Sequence, residues 1–411
     1  MIILPKNNLS NKDKDGNLMS LLLTIVLPLC LLFITFNSIS QGFNKSLIEN
    51  SEDSGNSKYF IFVIFIIFTF SFIRRYYKIA SKINVILFVY SLYYLVSSYL
   101  QITSFSPSFR GSLFLLLWVL CFKLGGNIAK LDDDKFNSFI YFFSLFIILP
   151  ILIYTIKFII QRNITLLFFG GIDAIFAVAV YLPFIFILNN KKSFKILMLL
   201  TLLLICLFSF KRSIILSVFI ATLIYVLLTL NNANIYKLLF NKYTGLAVIA
   251  IFLLYRQIGS LFSNNFERFQ NLSQDGGSGR TDIYNELLKV FFNSNSDKML
   301  FGYGSQGTRE YIGILAHNDF IQILFDFGII GFVLYLLFIL SLIIFAVKKS
   351  KFRVNYNNDY AAYVASILAF LILSLTNCII YSPAYLSPLM LGIGILYFRI
   401  KKIKIIRDDN F

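Results

Sequence analysis

Residues 318–347 read NDFIQILFDFGIIGFVLYLLFILSLIIFAV. After Asp326 no charged side chain occurs until Lys348 and Lys349. A run of this length and apolarity is what crossing the hydrocarbon core requires, at about 20 residues per helical span. Similar runs recur along the chain, near 18–39, 59–73, 81–100, 109–124, 136–160, 172–188, 194–210, 213–230, 244–261, 359–381 and 386–400. Together they predict an all-α polytopic membrane protein of about twelve transmembrane helices.

Composition agrees. The 411-residue chain is 58% hydrophobic and 14% charged, with a mean hydropathy of +0.77. So few charges cannot coat a globule in water, where about 25% is usual. The net charge of +17 does not indicate nucleic acid, because the lysines and arginines fall in short clusters between apolar runs and not on one basic face. All four cysteines lie in apolar segments and read as small hydrophobes. The polar stretch 1–17 before the first run reads as the flank of a signal anchor.

The basic clusters set the expected orientation. With the N-terminus in the cytoplasm, the inner loops hold Arg74, Arg75 and Lys78, then Lys191, Lys192 and Lys195, then Lys348, Lys349, Lys351 and Arg353, and the tail adds Arg399, Lys401 and Lys402. Both termini are then cytoplasmic, and the positive-inside rule holds. Under this topology 1–411 is one membrane domain, and its longest polar stretch, 262–316, is an extracytoplasmic loop. Within that loop Thr281 reads as a helix N-cap with Asp282 in the first turn. Ile283, Leu287, Leu288 and Phe291 give a helical apolar stripe, so a short amphipathic helix is expected there. Gly302-Tyr303-Gly304 reads as a turn.

Three features on this outer side could carry chemistry. His317, the only histidine, stands where the loop re-enters the membrane, and imidazole suits proton transfer near neutral pH; it could equally anchor a helix end. Lys211 and Arg212 sit at a tight outer turn against the positive-inside bias, so either an anion or lipid phosphate meets them. Arg280 follows Gly277-Ser278-Gly279 and precedes the expected helix, where the macrodipole does not favour a cation. Asp132-Asp133-Asp134 faces the cytoplasm and is explained by the helix it precedes. One histidine and scattered cysteines supply no metal-ligand cluster.

Ser278-Gly279-Arg280-Thr281-Asp282-Ile283-Tyr284, the Gly302–Gly304 turn, the run from Ala316-His317-Asn318-Asp319 to Gly328-Ile329-Ile330-Gly331, and Ser209-Phe210-Lys211-Arg212-Ser213 resemble the O-antigen polymerase and O-antigen ligase superfamily. The likeness covers roughly 205–335. It implies a GT-C-type membrane glycosyltransferase of the bacterial cytoplasmic membrane, acting on its extracytoplasmic face without metal, cofactor or nucleotide sugar. Donor and acceptor would be undecaprenyl-diphosphate-linked glycans, with membrane lipid around the site, a chain-length regulator as a further partner and no nucleic acid. In that reading Arg212, Lys211 and Arg280 bind the diphosphate, whose developing charge guanidinium groups stabilise, and His317 acts as general base. Tyr284, Tyr303, Tyr311, Asn318 and Asp319 are candidate glycan contacts. Polymerase is favoured over ligase by analogy with the more variable branch. A lipid-oligosaccharide transporter would instead place ionisable groups at the midplane, and a non-catalytic scaffold would tolerate loss of His317.

Overall fold

The computed structural model describes residues 82–100, 105–145, 179–188, 195–196, 198–199, 212–229, 279–350, 357–381 and 383–408. The expected spans at 18–39, 59–73 and 244–261, parts of 136–160, 172–188 and 194–210, residue Lys211 and the loop segment 262–278 lie outside them. Among the described residues there are helices and turns and no strand. The helices are α1 (Lys82–Leu100), α2 (Phe105–Ile128), α3 (Arg212–Thr229), α4 (Arg280–Phe292), α5 (Ser296–Phe301), α6 (Gly307–Ile312), α7 (Asp319–Lys349), α8 (Asn357–Thr376) and α9 (Pro383–Asp408). Residues 133–145 and 179–187 are also helical. α7, and α8 from Asn358, are long and apolar enough to cross a membrane.

Side-chain contacts fix how the long helices run. Tyr335 on α7 meets Ser374 on α8, and near the other end Tyr363 and Tyr360 on α8 donate to the carbonyls of Leu342 and Ala346, so the pair is antiparallel. Tyr90 and Tyr94 on α1 contact Tyr335 and Phe327 in the same reversed order. α3 runs against α8 through Ser213–Asn377 and Ser217–Ala369. α2 and α9 approach closely because small residues sit at their crossing: a Cβ at Gly125 would come 2.7 Å from the Leu391 carbonyl oxygen.

The exposed faces are apolar. On α7, Val333, Leu337, Leu340, Ile344 and Val347 face outward while Tyr335, Phe338 and Leu342 are buried, and α1 (Val85, Val89, Leu92, Val96) and α3 (Leu216, Phe219, Leu223, Leu227) carry similar stripes. Helices that turn an apolar stripe outward as well as inward are built for lipid.

The bundle has two unlike ends. Lys82, Lys130, Lys135, Lys348, Lys349 and Arg399 lie toward the end where α1 begins and α2 and α7 finish, and there Arg399 Nε pairs with Asp359 at 2.9 Å. Lys195 departs from the expectation of a solvated loop lysine. It is buried, its ammonium donating to the Phe186 carbonyl at 2.5 Å and to the Tyr225 hydroxyl. At the opposite end α4, α5 and α6 form a cap against the start of α7.

Candidate functional site at the capped end

The cap is joined to α7 through a break in that helix. Gly328 has φ 65 and ψ −170 inside α7, a conformation open essentially to glycine alone. The break frees the carbonyls before it, and other segments take them up. Tyr303 N–H donates to Phe325 O at 3.0 Å and Gly304 N–H to Asp326 O at 2.8 Å. The Tyr93 hydroxyl of α1 donates to Phe327 O at 2.7 Å. Gly302, at φ 81, lies so close to the Asp326–Phe327 peptide that a Cβ there would overlap it. The Gly302–Gly304 turn thus docks backbone to backbone on the broken helix.

Asp326 completes the joint. Fully buried, its carboxylate accepts from the N–H groups of Gln306 and Thr308 at 3.1 Å each, which lie at the start of α6. It also accepts from Gln322 Nε2 at 2.7 Å and from the Tyr381 hydroxyl at 2.5 Å. Gln322 in turn donates to Thr308 Oγ1 and accepts from Ala316 N–H at 2.9 Å. A buried carboxylate with four donors is well compensated.

That network presents His317. Ala316 before it is held by Gln322, and Asn318 after it is the N-cap of α7, its Oδ1 accepting from Phe320 N–H at 2.9 Å and Ile321 N–H at 3.3 Å. His317 itself has φ 54 and is exposed. A left-handed backbone is uncommon outside glycine, and here it lifts the imidazole between two anchored neighbours. The Tyr284 hydroxyl of α4 donates to the His317 carbonyl at 3.4 Å. Burial raises the Tyr284 pKa while the Arg280 cation opposes the rise, so at neutral pH the phenol is the protonated donor.

Arg280 opens α4, one residue earlier than the expected cap; Gly279, at φ 77, occupies the N-cap position and Thr281 lies inside the helix. Leu287 and Phe291 are the stripe's buried members, packed with Ala316 and Phe325. Arg280 Nη1 donates to the Thr376 carbonyl at 2.5 Å, at the C-terminal end of α8, where the macrodipole favours a cation. Asn318 Nδ2 donates to Leu375 O, one residue earlier, at 3.1 Å. Arg212 is the first residue of α3, and its neighbour Ser213 accepts from Asn377 Nδ2 at 3.2 Å.

Arg280, Tyr284, His317, Asn318 and the start of α3 are thus gathered around the end of α8, although they are scattered in sequence. Three other candidates are placed elsewhere. Tyr303 stacks on Phe325 with ring centroids 4.4 Å apart, and Tyr311 lies edge-on to both rings, so this pair belongs to the cap's aromatic packing. Asp319 is fully buried, and its Oδ1 accepts from Ile380 N–H at 3.1 Å. Lys211 lies outside the described residues. Sequence reasoning passed over Asp326, Gln322 and the 375–381 segment; the only signal was an acidic pair two turns apart inside an apolar run.

A helical bundle turning apolar faces outward, with a polar constellation under a folded cap, defines a membrane protein with one organised end. Residues 197–336 match the family model described as O-antigen ligase. The match takes in α3, the cap and the first half of α7, and it supports the superfamily resemblance read from the sequence. No curated protein matches the chain.

Proposed function

We propose that the chain is an extracytoplasmic polysaccharide polymerase that transfers glycan from undecaprenyl diphosphate onto the acceptor sugar of another lipid-linked repeat unit. The observation carrying the proposal is the convergence of Arg280, His317 and the α3 start bearing Arg212 at the end of α8. The acceptor hydroxyl attacks the donor's anomeric carbon as the bond to the diphosphate oxygen breaks. His317 takes the hydroxyl proton, and undecaprenyl diphosphate leaves with its charge met by Arg280, Arg212 and Lys211. A single displacement inverts the anomeric centre. Guanidinium groups carry a lasting positive charge and can bind phosphate in bidentate fashion.

In this reading the chain spans the bacterial inner membrane about twelve times as a GT-C-like domain, 1–411, with both termini cytoplasmic and the loop 262–316 outside. Tyr284 and Asn318 line the acceptor side, and a chain-length regulator is the natural protein partner. The test is purified protein incubated with lipid-diphosphate repeat units, followed by gel analysis of chain growth. A ladder lost in His317→Ala and Arg280→Ala supports the proposal; a ladder that survives both substitutions refutes it. The family description favours one second reading, ligation of polymer to a lipid A core. That reading gains if polymer moves only when the core acceptor is supplied.

A further inference from the structure

Three hydrogen bonds that organise the capped end terminate on residues 375–377, which lie beyond the family match ending at 336. Leu375 O holds Asn318, Thr376 O holds Arg280, and the Asn377 amide holds Ser213. Resting on the polymerase reading, we infer that Asn377 is a positioning residue that fixes the start of α3, which bears Arg212, against the α8 end that holds Arg280, so that both helix ends serve one diphosphate site.

Asn377 is buried, and its Nδ2 donates both to Ser213 Oγ at 3.2 Å and to Thr376 Oγ1 at 3.0 Å. An asparagine after a helix is commonly there because it tolerates the left-handed backbone. That reason does not apply: among the described residues the only non-glycine positive φ values are at Gln306 and His317. The side chain is the better account of the residue, and it ties the first turn of α3 to the carbonyl end of α8 that holds Arg280. The segment is itself held from the other side, by Asp319 on Ile380 N–H and by the Tyr381 hydroxyl on Asp326. The two buried carboxylates therefore fix one side of the tie, and the amide transmits that position to α3. Ser217, one turn further along α3, makes a separate bond to Ala369 O at 3.3 Å and serves as a control within the same seam.

The probe is farnesyl diphosphate, titrated by calorimetry into the full chain in detergent. Asn377→Leu keeps the branching and heavy-atom count and removes the amide; with Ser213→Ala it closes a double-mutant cycle. The expected result is a loss of affinity of about tenfold or more in each single variant and no greater loss in the double than in the stronger single, while Ser217→Ala stays within about twofold. Asn377→Asp retains a partner for the Ser213 hydroxyl but sets a negative charge next to the carbonyl that holds Arg280, so it also weakens binding. Additive losses, an equal loss in Ser217→Ala, or no binding by the wild-type chain overturns the inference. Chain growth distinguishes the two readings. Growth with binding indifferent to Asn377 defeats the positioning role alone; coupled binding without growth defeats the polymerase assignment alone.

Discussion

Replacing Asp326 by alanine tests the joint between cap and membrane helix. The substitution takes the acceptor from Thr308 N–H and the Tyr381 hydroxyl, and leaves Gln306 N–H and Gln322 Nε2 with one weaker or competing partner each. Two buried donors without a partner cost about 1–3 kcal/mol apiece, and the two weakened bonds about 0.5–1.5 kcal/mol apiece. The joint should therefore lose at least about 3 kcal/mol, which at 1.4 kcal/mol per decade is on the order of 100-fold in local opening. Amide hydrogen exchange over 304–313, measured in detergent, reads this directly. Exchange there should accelerate by that factor while α8 is little changed, and chain growth should fall because His317 loses its anchored neighbours. Asp282→Ala, on the exposed face of α4, should change neither. Exchange in Asp326→Ala indistinguishable from the wild type would refute the reasoning.

Gly328→Ala would force a Cβ to 2.7 Å from Gly302 N and closer still to the Leu300 carbonyl; added to about 1–3 kcal/mol of backbone strain, this should open the cap to limited proteolysis. His317→Ala should lower the rate of chain growth by about 100–10,000-fold, the usual contribution of a general base, with the thermal midpoint unchanged. Asp359→Ala leaves Arg399 largely buried without its 2.9 Å partner; because the pair is partly solvated, the loss should fall at or below the low end of the ~3–5 kcal/mol seen for buried pairs. It should appear as a lower thermal midpoint with unchanged activity per folded molecule. The Tyr284 pKa is raised in the folded chain, so its contribution to stability is complete below the unfolded value of about 10 and is lost as pH climbs through the folded one. Tyr284→Phe should remove that alkaline loss from a pH series of unfolding midpoints.

The long elements were legible because hydropathy acts locally. The expected spans near 81–100, 213–230 and 359–381 fall on α1, α3 and α8 within a few residues, and the stripe Ile283–Phe291 marked α4. The break at Gly328 was hidden inside an apolar run, since nothing local distinguishes a glycine that interrupts a helix from one that packs inside it. Thr281 made a plausible N-cap, but the chain enters α4 through a left-handed Gly279. Tyr303 looked available to sugar because an aromatic residue in a polar loop carries no mark of its packing partner, here Phe325, whereas Tyr311 touches the same ring and stays exposed. Asn377 gave no signal, because its role depends on Ser213, 164 positions away.

The glycine break also sets how deep the molecule sits. At 1.5 Å per residue, residues 329–349 of α7 measure about 31 Å, close to the ~30 Å hydrocarbon thickness of a bilayer. If that segment makes the crossing, the nine residues before the break are surplus to it and fall at the level of the lipid headgroups. A substrate whose diphosphate joins a buried prenyl tail to a solvated glycan carries its phosphorus at that same level. Under the polymerase proposal the break would act as a depth stop, setting Arg280 and His317 at the height of such a linkage, so that the lipid would react without being lifted out of the membrane.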